Sequence, residues 1–338
     1  GKLPAWVSAK DVILEMLRRH GVSGGNGRLI EYHGAGLKHL SAMDRHVIAN
    51  MGTELGAITT VFPADAEVKR FLQGQGRGDD YRELRADGGC SYDVEEEIDL
   101  SSLVPLIAKP SSPDNVVPVS EIAGEAIYQA YIGSSANPGY RDFAIVAKIV
   151  EKQMVDSGVS FDINPSTRAI LETLSREGLL THLIHAGARL HQAGCNGCIG
   201  MGQAPASDQN SLRTVPRNFP DRSGTKDDRV FLCSPETAAA SDLKGRITDP
   251  RSLSMTYPSV HEPEAPVINR EALLAPPGKH KASKVELIRG PNIKRLPDFK
   301  GLPKNLKVPV ILKVGDDIST DAIMPPGAEV LPFRSNIP

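Results

Sequence analysis

Cysteine is scarce in this 338-residue chain: Cys90, Cys195, Cys198 and Cys233 are the whole complement. Four are too few for a disulfide scaffold, and a reducing compartment is expected, cytoplasm or mitochondrial matrix. Long apolar runs are also missing. No stretch approaches the ~18 consecutive apolar residues of a transmembrane helix. The first dozen residues lack the basic and apolar regions of a secretion signal. Charge of one sign is missing too. Lys plus Arg number 39 and Asp plus Glu 41, for a net charge of −2. A general nucleic-acid binder would be basic.

What remains is an ordinary globular composition, 40% hydrophobic and 24% charged. At roughly 150 residues per domain, it is long enough for about two domains. Gly and Pro, 31 and 26, break the chain into short elements. Residues 8–20 predict an amphipathic helix. Ser8 is its N-cap, Asp11 stands at capping-box distance, and Gly21 is the stop. Arg28 to Tyr32 reads as a strand and 41–56 as a helix. Residues 76–118 are polar and turn-rich. An α/β alternation follows. Ala126 to Ile132, Val159 to Ile163 and Arg229 to Leu232 read as strands, with helices over 140–154 and 166–176. Ser234-Pro235-Glu236 opens another helix. Such alternation implies a largely parallel sheet covered by helices. Residues 257–305 are Pro-rich and charged and read as a linker. Val308 to Val314 reads as a final strand.

In open parallel sheets, ligands sit on loops leaving the carboxyl ends of strands. Three loops qualify. One carries Ser134, Ser135 and Asn137. A second carries Cys195-x-x-Cys198 among glycines: half of a zinc or iron–sulfur site, a redox pair, or a loop without chemistry. The third carries Arg213, Arg217 and Arg222, either a bidentate carboxylate clamp or an ordinary solvated loop. Asn50 and Glu54, spaced i and i+4, read from spacing alone as a solvent-facing pair. His182, His185 and His191 read as structural or surface histidines.

Ordered segments then point to a known family. Glu31-Tyr32-His33-Gly34 is similar to an EYHG segment. Asn50 to Ala57 with Thr60 to Pro63 is similar to NMGAEIGATTSVFP, and Gly89 to Asp93 to GCHYD. Gly194 to Gly200 is similar to a cluster loop ACGPCIG. Arg217-Asn218-Phe219 with Arg222 is similar to RNFxGR, and Ser234-Pro235-Glu236 to the SPE that follows. The chain resembles the aconitase superfamily of [4Fe–4S] hydro-lyases over nearly its whole length.

That resemblance implies two three-layer αβα domains with largely parallel sheets, over 1–105 and 106–256. A linker over 257–305 and the start of a truncated swivel domain over 306–338 complete the expected organisation. It implies an aconitate hydratase of the tricarboxylic acid cycle, interconverting citrate and isocitrate through cis-aconitate. A related hydro-lyase of homoaconitase or isopropylmalate dehydratase type is one alternative, a cluster-free RNA-binding protein another. The implied cofactor is a [4Fe–4S] cluster acting as Lewis acid, and the partner a tricarboxylate, with no membrane and with nucleic acid only in a cluster-free form. Cys195 and Cys198 are its implied ligands. Ser135 occupies the position of the third cysteine, in Gly133-Ser134-Ser135-Ala136-Asn137 against GSCTN. Asn50 and Glu54 are implied catalytic residues, and Arg217 and Arg222 substrate-binding ones. Pro216 replaces an asparagine before the RNF segment, and Ala322 a histidine in the swivel opening, Gly315 to Arg334. An N-terminal domain with an Asp-Ser-His segment and a C-terminal domain with the serine base are expected from the same full-length chain, so this piece alone is expected to be inactive.

Overall fold

The sheet at the centre of this computed structural model has seven strands in the order β4-β3-β9-β8-β5-β6-β7. The structure describes all residues except 272, 292, 317, 319, 325–329 and 331–338; the side chain of Asp321 is also left out. Two compact units result, Gly1–Asn269 and Arg270–Pro338.

The first unit opens with α1 (Ala9–His20), whose capping box forms as its sequence predicts. The Asp11 carboxyl accepts from Ser8 N at 2.8 Å and, through its other oxygen, from Leu106 N at 2.8 Å. One side chain thus caps the helix and ties it to the sheet. Strand β1 (Leu29–Glu31), helix α2 (Ala42–Asn50) and strand β2 (Thr59–Val61) follow, with β1 and β2 paired in parallel. Helix α3 (Ala66–Gly74) leads to β3 (Leu106–Ala108) and β4 (Val116–Pro118). Then come β5 (Gln129–Gly133), α4 (Tyr140–Ile149), β6 (Ser160–Asn164), α5 (Arg168–Arg176), α6 (Leu179–Ala186) and β7 (Arg189–Leu190). The last elements are β8 (Asn210–Arg213), β9 (Arg229–Cys233) and α7 (Pro235–Lys244). Strands β9, β8, β5, β6 and β7 run parallel; β3 is antiparallel to both its neighbours.

Successive residues of a strand face opposite sides, and here each side has its own core. Ile107, Ala130, Ile132, Phe231 and Cys233 join the α4, α6 and α7 side chains in one cluster. Leu106, Ala108, Tyr131, Val230 and Leu232 join those of α1 and α2 in the other. The fold is therefore α/β, with helices on both faces of a mostly parallel sheet. The boundary expected at 105/106 falls just before β3, inside the first unit. Tyr257 packs edge-on against Trp6 with ring centroids 5.1 Å apart, so 257–269 begins as a strap on this unit.

In the second unit the described residues are largely exposed and outside helices and strands. Short helical turns occur at Lys279–Ala282 and Thr320–Ile323. The strand expected over 308–314 does not form: Val310, Ile311 and Leu312 are 85%, 93% and 76% exposed. A strand needs a neighbour to satisfy its backbone, and none of the described residues pairs with this one. Much of the Gly315 to Arg334 resemblance lies outside the described residues. Among these residues no helix is long and apolar enough to cross a membrane.

Asp11 makes pH a probe of the packing. Burial pushes its carboxyl up to about 7, against an ordinary 3.8. A raised carboxyl adds stability below its unfolded value and loses it as pH rises through its folded one. Asp11→Asn removes that titration. The stability of the native chain minus that of Asp11→Asn is expected to fall between pH 4 and 7. Urea midpoints at several pH values read it, and a flat or rising difference rules the assignment out.

Candidate functional site

Strand order sets where the site lies. From β5 the chain goes to β6 and β7 on one side, then returns to β8 and β9 on the other. The order reverses between β5 and β8, a topological switch point where open α/β sheets form ligand crevices. The Ser134–Ser135 loop leaves β5 and the Arg217 loop leaves β8. The cysteine loop, after β7, folds back over them.

Three contacts bring that loop back. Arg213, fully buried, donates from Nη1 to Gly197 O at 2.8 Å and from Nη2 to Gln203 O at 2.8 Å. Its guanidinium carbon lies 5.1 Å from the Tyr131 ring centroid. Gly197 lies so close to that ring that a Cβ on it would overlap Tyr131 Cζ and Oη. Arg213 is therefore an internal strut of the cysteine loop, and the carboxylate clamp considered for the third loop rests on Arg217 and Arg222.

Cys195 Sγ and Cys198 Sγ lie 3.4 Å apart, and Ser134 Oγ is 3.3 Å from Cys195 Sγ. Ser135 also lies close enough for its backbone N–H and hydroxyl to favour the Cys195 thiolate. A hydrogen bond from Cys198, and both serines beside it, lower the Cys195 thiol to about 5. Cys198, beside it, is pushed up by that interaction and by burial. Ser134 holds a left-handed backbone, φ 67°, directly after Gly133, and His46 Nε2 is 3.1 Å from Ser135 O. Cys195, Cys198 and Ser135 are thus brought together, with Ser134 as a fourth member.

Asn50 ends α2, and the chain tightens into a 3₁₀ turn over Met51–Leu55 that carries Glu54. Glu54 is buried and pairs with Arg217, Nη2 at 2.8 Å and Nε at 3.0 Å from the same oxygen. The solvent-facing reading of the Asn50–Glu54 spacing therefore fails for Glu54. Asn50 is half-buried and takes part in none of these contacts. Burial raises the Glu54 carboxyl, opposed by Arg217, Arg222 and Lys10. The Arg222 charge also lowers Cys198, so one cation biases both halves of the site.

Sequence reasoning missed Lys10. It is fully buried and donates to Thr214 O and Val215 O at 2.9 and 3.0 Å, anchoring the start of the Arg217 loop to α1. Desolvation lowers its ammonium to about 8. Its place on an amphipathic helix gave no signal, because a lysine next to Asp11 reads as a solvated charge. His191 sits near the loop but is engaged with Asp162, Nε2 to Oδ1 at 2.8 Å.

The donor set does not fit the three-cysteine shell that the resemblance implies. Two thiols converge, and the other donors reaching Cys195 are hydroxyls. Cys233 lies in the core on the opposite face of the sheet from Cys198. Cys90 is exposed, its Sγ 3.7 Å from Tyr92 Oη. Among the described residues, no three His, Cys, Asp or Glu side chains gather where they could hold a metal ion.

A helix-covered, mostly parallel sheet defines the class, an α/β protein, with a carboxylate–arginine pair and a cysteine pair on the loops at its switch point. A sequence profile of the Aconitase family (aconitate hydratase) matches residues 1–245, and the chain belongs to that family. It is 38% identical to 3-isopropylmalate dehydratase large subunit 2 of Archaeoglobus fulgidus over 252 residues, 74% of this chain and 61% of that protein. It is 39% identical over 253 residues to large subunit 1 of the Methanopyrus kandleri enzyme, 74% of this chain and 60% of that protein. For large subunit 1 of Thermotoga maritima the figures are 37% over 254 residues, 74% and 61%. The chain spans about three fifths of the length of these relatives. These relatives overturn the expectation of an aconitate hydratase of the tricarboxylic acid cycle, since they are named for a different hydro-lyase. The superfamily resemblance itself stands.

Proposed function

We propose that this chain is part of a hydro-lyase of the isopropylmalate dehydratase type, acting on an alkyl-substituted hydroxy dicarboxylate. The observation that carries the reading is the buried Glu54–Arg217 pair at the switch point. Both residues lie within residues 1–245, the span matched by the Aconitase family profile, and the similar proteins are named 3-isopropylmalate dehydratase large subunit. Their name also supports a separate small subunit as partner, in place of missing domains carried on the same chain.

3-Isopropylmalate loses water when the C2–O bond breaks, the C3 proton leaves and a C2–C3 double bond forms. Two carboxylates must be held, and the departing hydroxyl must receive a proton. In this reading Arg217 and Arg222 hold carboxylate. Glu54, whose carboxyl is raised by burial, gives the leaving oxygen its proton, and Arg217 stabilises the carboxylate left behind. The base that takes the C3 proton comes from the rest of the enzyme. Asn50, at the end of α2, directly precedes the turn that presents Glu54.

The test uses the complete large subunit purified with its small subunit. Consumption of 3-isopropylmalate is followed by the absorbance of the conjugated diacid. Turnover is expected, reduced about 100-fold or more in Glu54→Gln. Absence of any dehydration by the native enzyme, or full activity in the variant, would overturn the proposal.

A further inference from the structure

We infer that the Cys195–Cys198 pocket is a two-thiolate site, incomplete for an iron–sulfur cluster, and that Ser135 alone sets this limit. The pocket takes up iron and sulfide only partly and releases them readily. A sulfur at position 135 completes it. The inference rests on the cysteine loop being the iron–sulfur site of the proposed hydro-lyase.

Three observations carry it. First, the thiols are two, 3.4 Å apart, and the other side chain within hydrogen-bond distance of Cys195 is a hydroxyl, Ser134 Oγ at 3.3 Å, with Ser135 next in the chain. Neither remaining cysteine is placed to help. Cys233 packs among Phe143, Ala238 and Ala239 on the far face of the sheet, and Cys90 is exposed beside Tyr92. Second, iron binds the deprotonated ligand. An alcohol gives up its proton far less readily than a thiol, so a hydroxyl is a weak substitute where a cluster is held by thiolates.

Third, the backbone at 135 is already set for a ligand. Gly133 and Ser134 both have positive φ, 125° and 67°, which turn the chain from β5 toward the cysteine loop. The Ser135 carbonyl lies 3.1 Å from His46 Nε2, and the residue sits directly after Ser134, whose Oγ is 3.3 Å from Cys195 Sγ. Serine and cysteine differ by one atom, so the exchange places sulfur at that corner without moving the loop.

The experiment reconstitutes the complete protein without oxygen, using ferrous iron, sulfide and a thiol reductant. Native chain, Ser135→Cys and Ser135→Ala are compared. Iron and acid-labile sulfide per chain are measured, then the rate of iron loss to a chelator; far-UV circular dichroism checks folding. The native chain is expected to fall short of a [4Fe–4S] complement and to lose iron about tenfold or more faster than Ser135→Cys. Ser135→Ala should match the native chain.

A native chain that holds a full cluster as long as Ser135→Cys overturns the inference and leaves the iron–sulfur reading standing. So does a Ser135→Ala variant that loses iron much faster than native, since the hydroxyl would then be a working ligand. If native and Ser135→Cys both stay empty while folded, the inference and the iron–sulfur reading of the loop fall together.

Discussion

Arg217→Ala is expected to cost about 3 kcal/mol of stability, because removing one partner of a buried ion pair leaves the other charge uncompensated. Glu54 is the buried member, and both Arg217 donors converge on one of its oxygens. The Arg217 side chain is 32% exposed, so water takes over part of its role and the loss sits at the low end for such pairs. Without the guanidinium, the burial that already raises the Glu54 carboxyl acts with less opposition. A more strongly raised carboxyl adds stability at low pH and loses it as pH rises through its folded value. The gap between native and Arg217→Ala should therefore widen from pH 5 to pH 8. Urea unfolding at the two values measures it, and a gap that is absent or constant rules the ion-pair account out. In the assembled enzyme the same change should lower kcat/KM about 100-fold or more, as a carboxylate clamp requires. Arg217→Lys should fall between, since an ammonium cannot reproduce two donors from one planar group.

Gly133→Ala is expected to destabilise the first unit by about 3 kcal/mol and to disorder the loop bearing Ser134 and Ser135. Gly133 has φ 125°, which an L side chain rarely adopts, and a Cβ there would overlap the Asn164 backbone carbonyl. That carbonyl is part of the sheet and cannot swing aside like a flexible side chain. The same residue joins the two strands of the switch point: its N–H donates to Thr214 Oγ1 at 2.8 Å, and its carbonyl accepts from that hydroxyl at 3.2 Å. Forcing Gly133 away from β6 therefore also loosens the start of the Arg217 loop. Calorimetry gives the stability. Hydrogen exchange at Ser134 N, now bonded to Asn164 O at 3.2 Å, gives the local effect. Native-like stability with unchanged exchange would show that the turn tolerates a side chain.

Much of this fold is legible because its signals are local. Ser8, Asp11 and Gly21 mark the two ends of α1, and both ends form as those residues dictate. Ser234-Pro235-Glu236 likewise opens α7. Strands β3 and β4 were hidden in a segment that reads as polar turns. They are three residues each; β4 pairs with β3, and the pairing of β3 with β9 brings together positions over a hundred residues apart. Val308 to Val314 shows the converse, a strand pattern with no pairing among the described residues.

The site divides in the same way. Cys195-x-x-Cys198 announces itself by spacing, and the resemblance already sets Ser135 beside it; the contact of Ser134 with Cys195 becomes visible only when β5 and the cysteine loop meet. Arg213 looks like its neighbours Arg217 and Arg222 in sequence. Its position on β8, under the loop, turns it into a buried strut. Lys10 is silent because nothing in a helical pattern marks a lysine that bonds carbonyls from residues 214 and 215. The substrate was misread from motifs that the hydro-lyases share. Those segments are common to the family and do not separate one hydro-lyase from another.

Competing substrates distinguish the proposed hydro-lyase for an alkyl-substituted hydroxy dicarboxylate from an aconitate hydratase. The complete two-subunit enzyme should be assayed with 3-isopropylmalate and with citrate under identical anaerobic conditions. The account predicts a kcat/KM for 3-isopropylmalate at least ~100-fold above that for citrate. Preference for citrate, or dehydration of neither by a folded and assembled enzyme, would contradict it.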